Sequence, residues 1–237
     1  MNLLITFLFG LTILIGTIVI LLLKDNKKIS ELSISIAFVV LIFLIFLDLI
    51  PETLEHLKYL DIILYVVVGI IGLKILDIFI PEHDHSLKKE HVFHIGFIAC
   101  IALILHNIIE GMALYSSLQS NTSLGILLGI GIGLHNIPMG MVIASTLEDA
   151  KYNKGKIFFI SLVVSLATFL GGLISYFIGT VSDYALGIML AITLGMLIYI
   201  VFFELLDHVK HQEKKNNIIG FVIGALIFII SMMFHSH

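Results

Sequence analysis

Two short polar motifs lie in the middle of long apolar runs, and the second repeats the first. Leu-His-Asn-Ile-Ile-Glu-Gly-Met at residues 105–112 returns as Leu-His-Asn-Ile-Pro-Met-Gly-Met at residues 134–141. In a helix, His106 and Glu110 share a face because they are four residues apart, and Asn107 lies on its flank. An imidazole nitrogen, an amide oxygen and a carboxylate oxygen form a borderline ligand set that suits Zn, Fe, Mn, Co or Cd ions.

The second motif offers the same geometry with one change of chemistry. His135, Asn136 and Met139 repeat the spacing, and a thioether stands where the first motif has its carboxylate. If the two faces meet, together they supply the ligands that a divalent cation needs. The alternative is that these polar side chains only join helices through hydrogen bonds. An ionisable group at the centre of a membrane helix costs roughly 2.5–3.5 kcal/mol on insertion scales, so Glu110 favours the metal-binding interpretation.

Membrane helices are the elements that must position these motifs. The 237-residue chain is 59% hydrophobic and 13% charged, with a mean hydropathy of +1.13, whereas soluble proteins have roughly 45–50% apolar and about 25% charged residues. Its apolar runs are long enough to cross a bilayer as helices and too long for barrel strands. We therefore predict an all-α polytopic membrane protein, one transmembrane domain over residues 1–237. The eight predicted spans are residues 2–23, 31–50, 61–80, 92–118, 123–147, 157–181, 184–206 and 218–234.

The lysines indicate how the chain is oriented. The loops after spans 2, 4 and 6 together contain a single lysine, Lys58. Lys74 lies within span 3, and all the other lysines lie in loops that follow odd-numbered spans. By the positive-inside rule the odd loops are cytoplasmic and both termini lie outside. The expected location is the plasma membrane of a bacterium or archaeon, the inner membrane where a cell has two. The chain has no arginine and no dense basic segment, which argues against nucleic acid as a partner.

Consecutive spans run in opposite directions, so the motifs of spans 4 and 5 form an inverted pair. A weaker repetition relates residues 46–52 at the end of span 2 to residues 203–208 at the end of span 7. Many transporters build a midplane binding site from inverted repeats and interrupted helices. Pro138 is expected to kink span 5 beside His135, because a proline cannot donate a hydrogen bond to the Leu134 carbonyl.

The paired motifs resemble those of the ZIP family of divalent metal transporters, in particular its compact bacterial branch. His-Asn-Ile-Ile-Glu-Gly in span 4 and His-Asn-Ile-Pro-Met-Gly in span 5 are similar to the family's two His-Asn-x-Pro-Glu-Gly-like motifs, and segments 48–52 and 199–206 also look like family segments. The resemblance implies eight helices, both termini outside, and a moving unit around spans 4 and 5 that works against a scaffold including spans 2 and 7. It also implies a set of metal-pathway ligands: His106, Asn107, Glu110, His135 and Asn136.

The chain departs from the family pattern at three positions. Ile109 replaces a frequent proline, so span 4 is expected to be straighter than usual. Met139 replaces the carboxylate that bridges two metals in bacterial relatives, and Thr168 aligns with a further carboxylate of span 6. Both losses fall on the family's second metal position, so we expect one metal site here. Met139 stays a candidate soft ligand, with a core methionine as the alternative.

Other polar residues suggest how metal reaches and leaves the site. Two acidic residues near span ends, Asp48 and Glu204, are candidates for the access path, the alternative being interfacial carboxylates in water. The loop after span 3 is rich in histidine and could capture or sense metal, although a hydrated loop explains it equally well. Its histidines are His83, His85, His91 and His94.

The sequence thus predicts a divalent metal transporter that moves metal into the cytoplasm through a site between spans 4 and 5. Zinc is the first candidate, followed by iron, manganese, cobalt and cadmium. The metal is the transported substrate, and no prosthetic group is expected. ATP is not expected either, because no Walker A motif is present. The expected partners are the metal ion and the lipid bilayer, with a homodimer left open. Two alternatives are an intramembrane metal-dependent hydrolase with Glu110 as general base, and a metal sensor that does not transport.

Overall fold

The structure is a computed structural model of the chain. It describes the backbone of residues 1–23, 27–79, 88–179 and 182–234, and the side chains of these ranges except 27, 77–79 and 88–99. Within these residues the chain forms eight helices long and apolar enough to cross a membrane, which confirms the predicted all-α architecture. They are α1 (Asn2–Leu22), α2 (Lys28–His56), α3 (Tyr59–Phe79), α4 (Lys88–Ser120), α5 (Thr122–Asp149), α6 (Lys154–Ile178), α7 (Asp183–Lys210) and α8 (Lys214–Met232).

Helices α2 and α7 continue several residues beyond the C-terminal ends that the sequence predicted. The prediction ended span 2 at Ile50, before Pro51, but α2 continues to His56. Pro51 lies in the first turn of the segment that follows a π-helical stretch, where a missing backbone N–H is tolerated. Similarly, α7 passes the predicted end at Leu206 and reaches Lys210. Both extensions carry polar residues that the sequence prediction had placed in loops.

A turn of a single residue joins α4 to α5. The Asn121 side chain accepts hydrogen bonds from the backbone N–H groups of Ser123 at 3.0 Å and Leu124 at 3.3 Å, and so caps α5. The two helices therefore lie side by side and antiparallel. Because His106 and His135 are almost equally far from Asn121 along the chain, the two repeated motifs lie at the same depth.

The eight helices pack as two groups of four. In the first group α4 packs against both α5 and α6, and α1 packs against α5 and α6. In the second group α2 packs against α8, and α3 packs against α7. The two groups meet where α2 and α8 contact α5 and where α7 contacts α4.

Close helix contacts show that the inverted repeat extends beyond the two motifs. A Cβ atom added to Gly16 of α1 would overlap the Ile137 carbonyl oxygen of α5, and one added to Gly171 of α6 would overlap the Ile108 carbonyl oxygen of α4. Ile108 and Ile137 occupy the same position of the repeated motif. Hence the contact between α1 and α5 is the inverted equivalent of the contact between α6 and α4, and small residues permit both contacts.

The second group carries the same repetition in its backbone. A π-helical segment interrupts α2 at Ile45–Leu49, and another interrupts α7 at Ile200–Leu205. The first contains Asp48 and the second contains Glu204, which are equivalent in the weaker sequence repeat. Short π-helical stretches inside α-helices often occur at functional sites. The helix α5 is continuous through Pro138, and the predicted kink beside His135 stays a prediction.

The close contact at Gly69 gives a direct test of this packing. A Cβ at Gly69 would overlap the Ile192 carbonyl oxygen of α7, whereas a Cβ at Gly72, one turn further along α3, would meet nothing within 4 Å. We expect Gly69→Ala to destabilise the protein by about 1–3 kcal/mol, the usual cost of overpacking. The measurement is the thermal unfolding midpoint in detergent. Gly72→Ala is the matched control and should leave the midpoint unchanged or slightly raised; equal effects of the two substitutions would contradict the α3–α7 contact.

Candidate metal site

The α4–α5 pair brings three of the predicted site residues to one point. Glu110 Oε1 lies 3.0 Å from His106 Nε2 and 2.5 Å from His135 Nε2. The donor atoms of all three residues lie within 4.8 Å of one another. Both histidines are almost completely buried, with 2% of His106 and 1% of His135 exposed.

This arrangement fits a metal ion of the zinc type. Zinc binds imidazole nitrogen and carboxylate oxygen at about 2.0–2.2 Å, so two ligands of one ion lie at most about 4.4 Å apart. The three donor atoms lie within 4.8 Å of one another, close to that limit, and Glu110 Oε1 contacts both imidazoles directly, so side-chain rotations are needed to place an ion between them. The second carboxylate oxygen, Glu110 Oε2, is buried and has no hydrogen-bond partner among the described residues. A cation at this point would satisfy that oxygen, whose burial alone is unfavourable.

The remaining motif residues are buried nearby but are not part of this cluster. Asn107 is fully buried and donates a hydrogen bond from its amide to the Val164 carbonyl of α6 at 3.3 Å. Asn136 is also fully buried, and neither of its amide atoms has a hydrogen-bond partner among the described residues. The Met139 side chain is 1% exposed and belongs to the apolar core. The structure thus unites His106, Glu110 and His135, while Asn107 turns toward α6.

A cavity of about 220 Å³, which we call the vestibule, leads to His106 and Glu110. It opens at the end of the bundle where α2 ends and where α5 and α7 begin. One wall, from α2, is polar and carries Asp48, Glu52, Glu55 and His56. The opposite wall is apolar and includes Ile109, Ala113, Leu128, Ile132 and Leu190. Acidic side chains therefore line one continuous route from the surface to the buried cluster.

The two predicted access residues lie in different places. Asp48 lines the vestibule, whereas Glu204 is 8% exposed in the π-helical segment of α7 and is not among the described residues that line the cavity. Sequence reasoning missed three polar lining residues, Glu52, Glu55 and His56. The available signal was their spacing, since residues 48, 52, 55 and 56 share a face if the helix continues beyond Pro51.

The side chains of the predicted histidine loop lie outside the described residues. His83 and His85 lie outside the described residues. His91 and His94 fall within the backbone of α4, but their side chains are outside the described set. Their role in metal capture stays a prediction.

A buried imidazole–carboxylate cluster reached through an acidic vestibule within the apolar interior is typical of membrane proteins that carry metal ions. Comparison with known proteins leads to the same class. The family model described as "ZIP Zinc transporter" matches residues 80–232. The chain belongs to the ZIP zinc transporter family and is a divalent metal transporter, not an enzyme. The predicted metal transport is confirmed, and the hydrolase and sensor alternatives are set aside.

Individual relatives match over nearly the whole chain. A protein named zinc transporter ZupT from Chlorobium chlorochromatii (strain CaD3) is 28% identical over 96% of this chain and 95% of its own length. A protein of the same name from Chlorobaculum parvum (strain DSM 263 / NCIMB 8327) is 26% identical over 94% of this chain and 92% of its own length. A third protein of that name, from Streptococcus mutans serotype c (strain ATCC 700610 / UA159), is 29% identical over 96% of this chain and 95% of its own length.

Proposed function

We propose that the chain carries zinc into the cytoplasm through a mononuclear site formed by His106, Glu110 and His135. The observation that carries the proposal is the convergence of these three donor atoms at the floor of the vestibule. The names of the relatives support zinc as the ion, and the ligand chemistry agrees with it. Iron, manganese, cobalt and cadmium use similar ligands and are the competing ions.

Charge supports one ion per site. Glu110 is the only carboxylate in the repeated motifs, because Met139 and both asparagines are neutral, and Thr168 of α6 is a buried neutral residue. Two divalent ions 4 Å apart repel by roughly 16 kcal/mol at an effective dielectric constant of 20, four times the figure for unit charges. One carboxylate cannot offset that repulsion. The asparagine amides then act as neutral neighbours of the ion or as additional oxygen ligands.

The position of the vestibule supports entry of the ion from the outer side. The vestibule lies at the end of the bundle whose loops contain a single lysine, Lys58. By the positive-inside rule this end is on the outer side of the membrane. Asp48, Glu52 and Glu55 concentrate cations there and replace part of the hydration shell as the ion descends. A divalent ion entering an inside-negative cell gains about 4.6 kcal/mol per 100 mV, twice the value for a single charge. Both termini then lie outside a bacterial or archaeal plasma membrane, and assembly into a homodimer stays a prediction.

Removing a ligand should weaken metal binding strongly. We expect His106→Ala, His135→Ala and Glu110→Gln each to lower zinc affinity by at least about 10–100-fold, because substitutions of mere outer-shell partners already have that effect. Isothermal titration of the detergent-solubilised protein measures affinity and stoichiometry. His211→Ala, an exposed histidine at the end of α7, is the matched control and should bind like the wild type. Unchanged affinity in all three variants would show that the ion binds elsewhere.

The number of ions tests the mononuclear proposal separately. The wild type should bind close to one zinc ion per chain with high affinity. Met139→Glu restores a second carboxylate between the motifs and should raise the stoichiometry toward two, because the added charge offsets repulsion between the ions. Met139→Gln has a similar size without the charge and serves as the control. Two tightly bound ions in the wild type would contradict the single site.

Zinc uptake into proteoliposomes tests the vestibule. Asp48→Asn and Glu52→Gln should raise KM severalfold and leave the maximal rate near that of the wild type, since these groups attract the ion without forming the buried site. The effect should shrink at high ionic strength. Asp183→Asn, an exposed carboxylate at the start of α7, is the control on the same side of the membrane. A fall in maximal rate with unchanged KM would instead place Asp48 and Glu52 in a later step.

A further inference from the structure

A second concave surface lies on the membrane-facing side of the second helix group. It is an apolar groove of about 390 Å³, formed because α3 packs against α7 and makes few contacts with α2. Its lining is aliphatic apart from one tyrosine. The lining comes from Ile50 and Leu54 of α2, from α3 between Tyr59 and Val67, and from Leu194 and Ile198 of α7. Of the eight described spans, α3 is the least buried within the protein, so the groove faces lipid and is separate from the vestibule.

The length and width of the groove suit a single hydrocarbon chain. From Tyr59 to Val67 it follows α3 for about 12 Å, at about 1.5 Å per residue. It starts at the end of the bundle where the vestibule opens and extends inward, through a leaflet whose hydrocarbon core is about 15 Å thick. A helix with its side chains is about 10–12 Å across, which is wider than a groove of this volume and length. One acyl chain of a phospholipid therefore fits where a helix of a second copy does not.

The mouth of the groove carries a positive charge at the level of the lipid headgroups. Tyr59, the first residue of α3, is 76% exposed, and tyrosines at the ends of spans are enriched at the membrane–water interface. Lys58 immediately precedes it, is exposed, and has no carboxylate within ion-pair distance among the described residues. It is also the only lysine in the loops at this end of the bundle. The groove thus combines an apolar channel with a cation at its entrance, which is complementary to a lipid phosphate.

We propose that the groove binds an anionic phospholipid of the outer leaflet, with one acyl chain along α3 and the phosphate at Lys58. A zwitterionic lipid such as phosphatidylcholine carries its own cation beside the phosphate, so it gains less from a lysine. The apolar channel and the charge adjoin each other, so one lipid molecule occupies both. This inference rests on the proposed function only for the orientation that names the leaflet, and the metal site plays no part in lipid binding.

A lipid in the groove contacts the back of the vestibule wall. Ile50 and Leu54 line the groove, whereas Glu52 and Glu55 of the same helical segment line the vestibule. With about 3.6 residues per turn, these two pairs lie on opposite faces of α2. The acyl chain and the entering ion therefore meet one segment from opposite sides, and the lipid fills the space behind the acidic wall.

Tryptophan fluorescence tests the site, because the chain has no tryptophan of its own. Tyr59→Trp places a reporter at the mouth of the groove. Phe177→Trp places one at the same end of the bundle on α6, where Phe177 is 77% exposed and does not line the groove. Each variant is reconstituted in phosphatidylcholine vesicles that contain either brominated phosphatidylglycerol or brominated phosphatidylcholine, and bromine quenches a tryptophan that it contacts.

We expect the Tyr59→Trp reporter to prefer phosphatidylglycerol about fivefold, which corresponds to the roughly 1 kcal/mol that one lysine contributes at an anionic surface. The Phe177→Trp reporter should show no preference. Equal quenching of the Tyr59→Trp reporter by the two lipids would overturn the proposal. Weak quenching by both would show that protein, such as a second copy of the chain, covers the groove, and would overturn it as well.

Substitutions at the mouth identify the cation. In the Tyr59→Trp protein, Lys58→Gln should abolish the preference for phosphatidylglycerol, and Lys58→Arg should keep it because the charge is retained. Lys74→Gln, which removes an exposed lysine further along the same helix, is the matched control and should leave the preference unchanged. A preference that survives Lys58→Gln would show that the phosphate does not bind at this lysine.

Filling the groove distinguishes a bound chain from simple attraction to the surface. Val67→Phe adds bulk inside the groove, whereas Val68→Phe adds the same bulk at an exposed neighbour that does not line it. In the Tyr59→Trp protein, Val67→Phe should remove most of the preference although Lys58 is intact, and Val68→Phe should not. Equal preference in the two variants would overturn the groove as the binding site. None of these measurements uses zinc, so failure of the metal site in titration leaves their result unaffected.

Discussion

One carboxylate shared by two imidazoles in an apolar interior is the constraint on which the site depends. Glu110 lies between His106 and His135 in the apolar interior of the bundle, at the inner end of the vestibule. Isolated, such a carboxylate would be expensive to bury, and two facing imidazoles would leave nitrogen atoms unsatisfied. Together they form a preorganised set of donor atoms that a cation can complete. The rest of the fold serves to bring these residues to one depth and to give an ion a route to them.

Small residues make that position possible. The contacts at Gly16 and Gly171 let the backbones of α1 and α6 approach the motif helices α5 and α4 closely. In a membrane, where apolar burial gives little preference for protein over lipid, such backbone proximity is a main source of helix association. The same contacts fix the rotation of α4 and α5, so that the histidine faces point toward each other and away from lipid.

The sequence was sufficient to predict the helices and the three clustered residues, because long apolar runs and a repeated four-residue spacing are strong signals. It was insufficient to predict the vestibule. A proline after Ile50 indicates the end of a helix, and nothing local reveals that a π-helical stretch lets α2 continue to His56. Glu204 shows a different limit. Its likeness to Asp48 is real, but the repeat is inverted, so the two residues lie at opposite ends of the bundle. Periodicity also cannot distinguish a methionine ligand from a core methionine, so the sequence alone did not decide the role of Met139.

The single-residue turn at Asn121 has a consequence for how the ion is released. One residue joins the two helices, and its side chain caps α5, so in the proposed carrier the histidines and the glutamate belong to one hairpin. If the hairpin moves as a unit, release of the ion depends on what surrounds its ligands: water, competing ligands and counter-charges on the far side of the membrane.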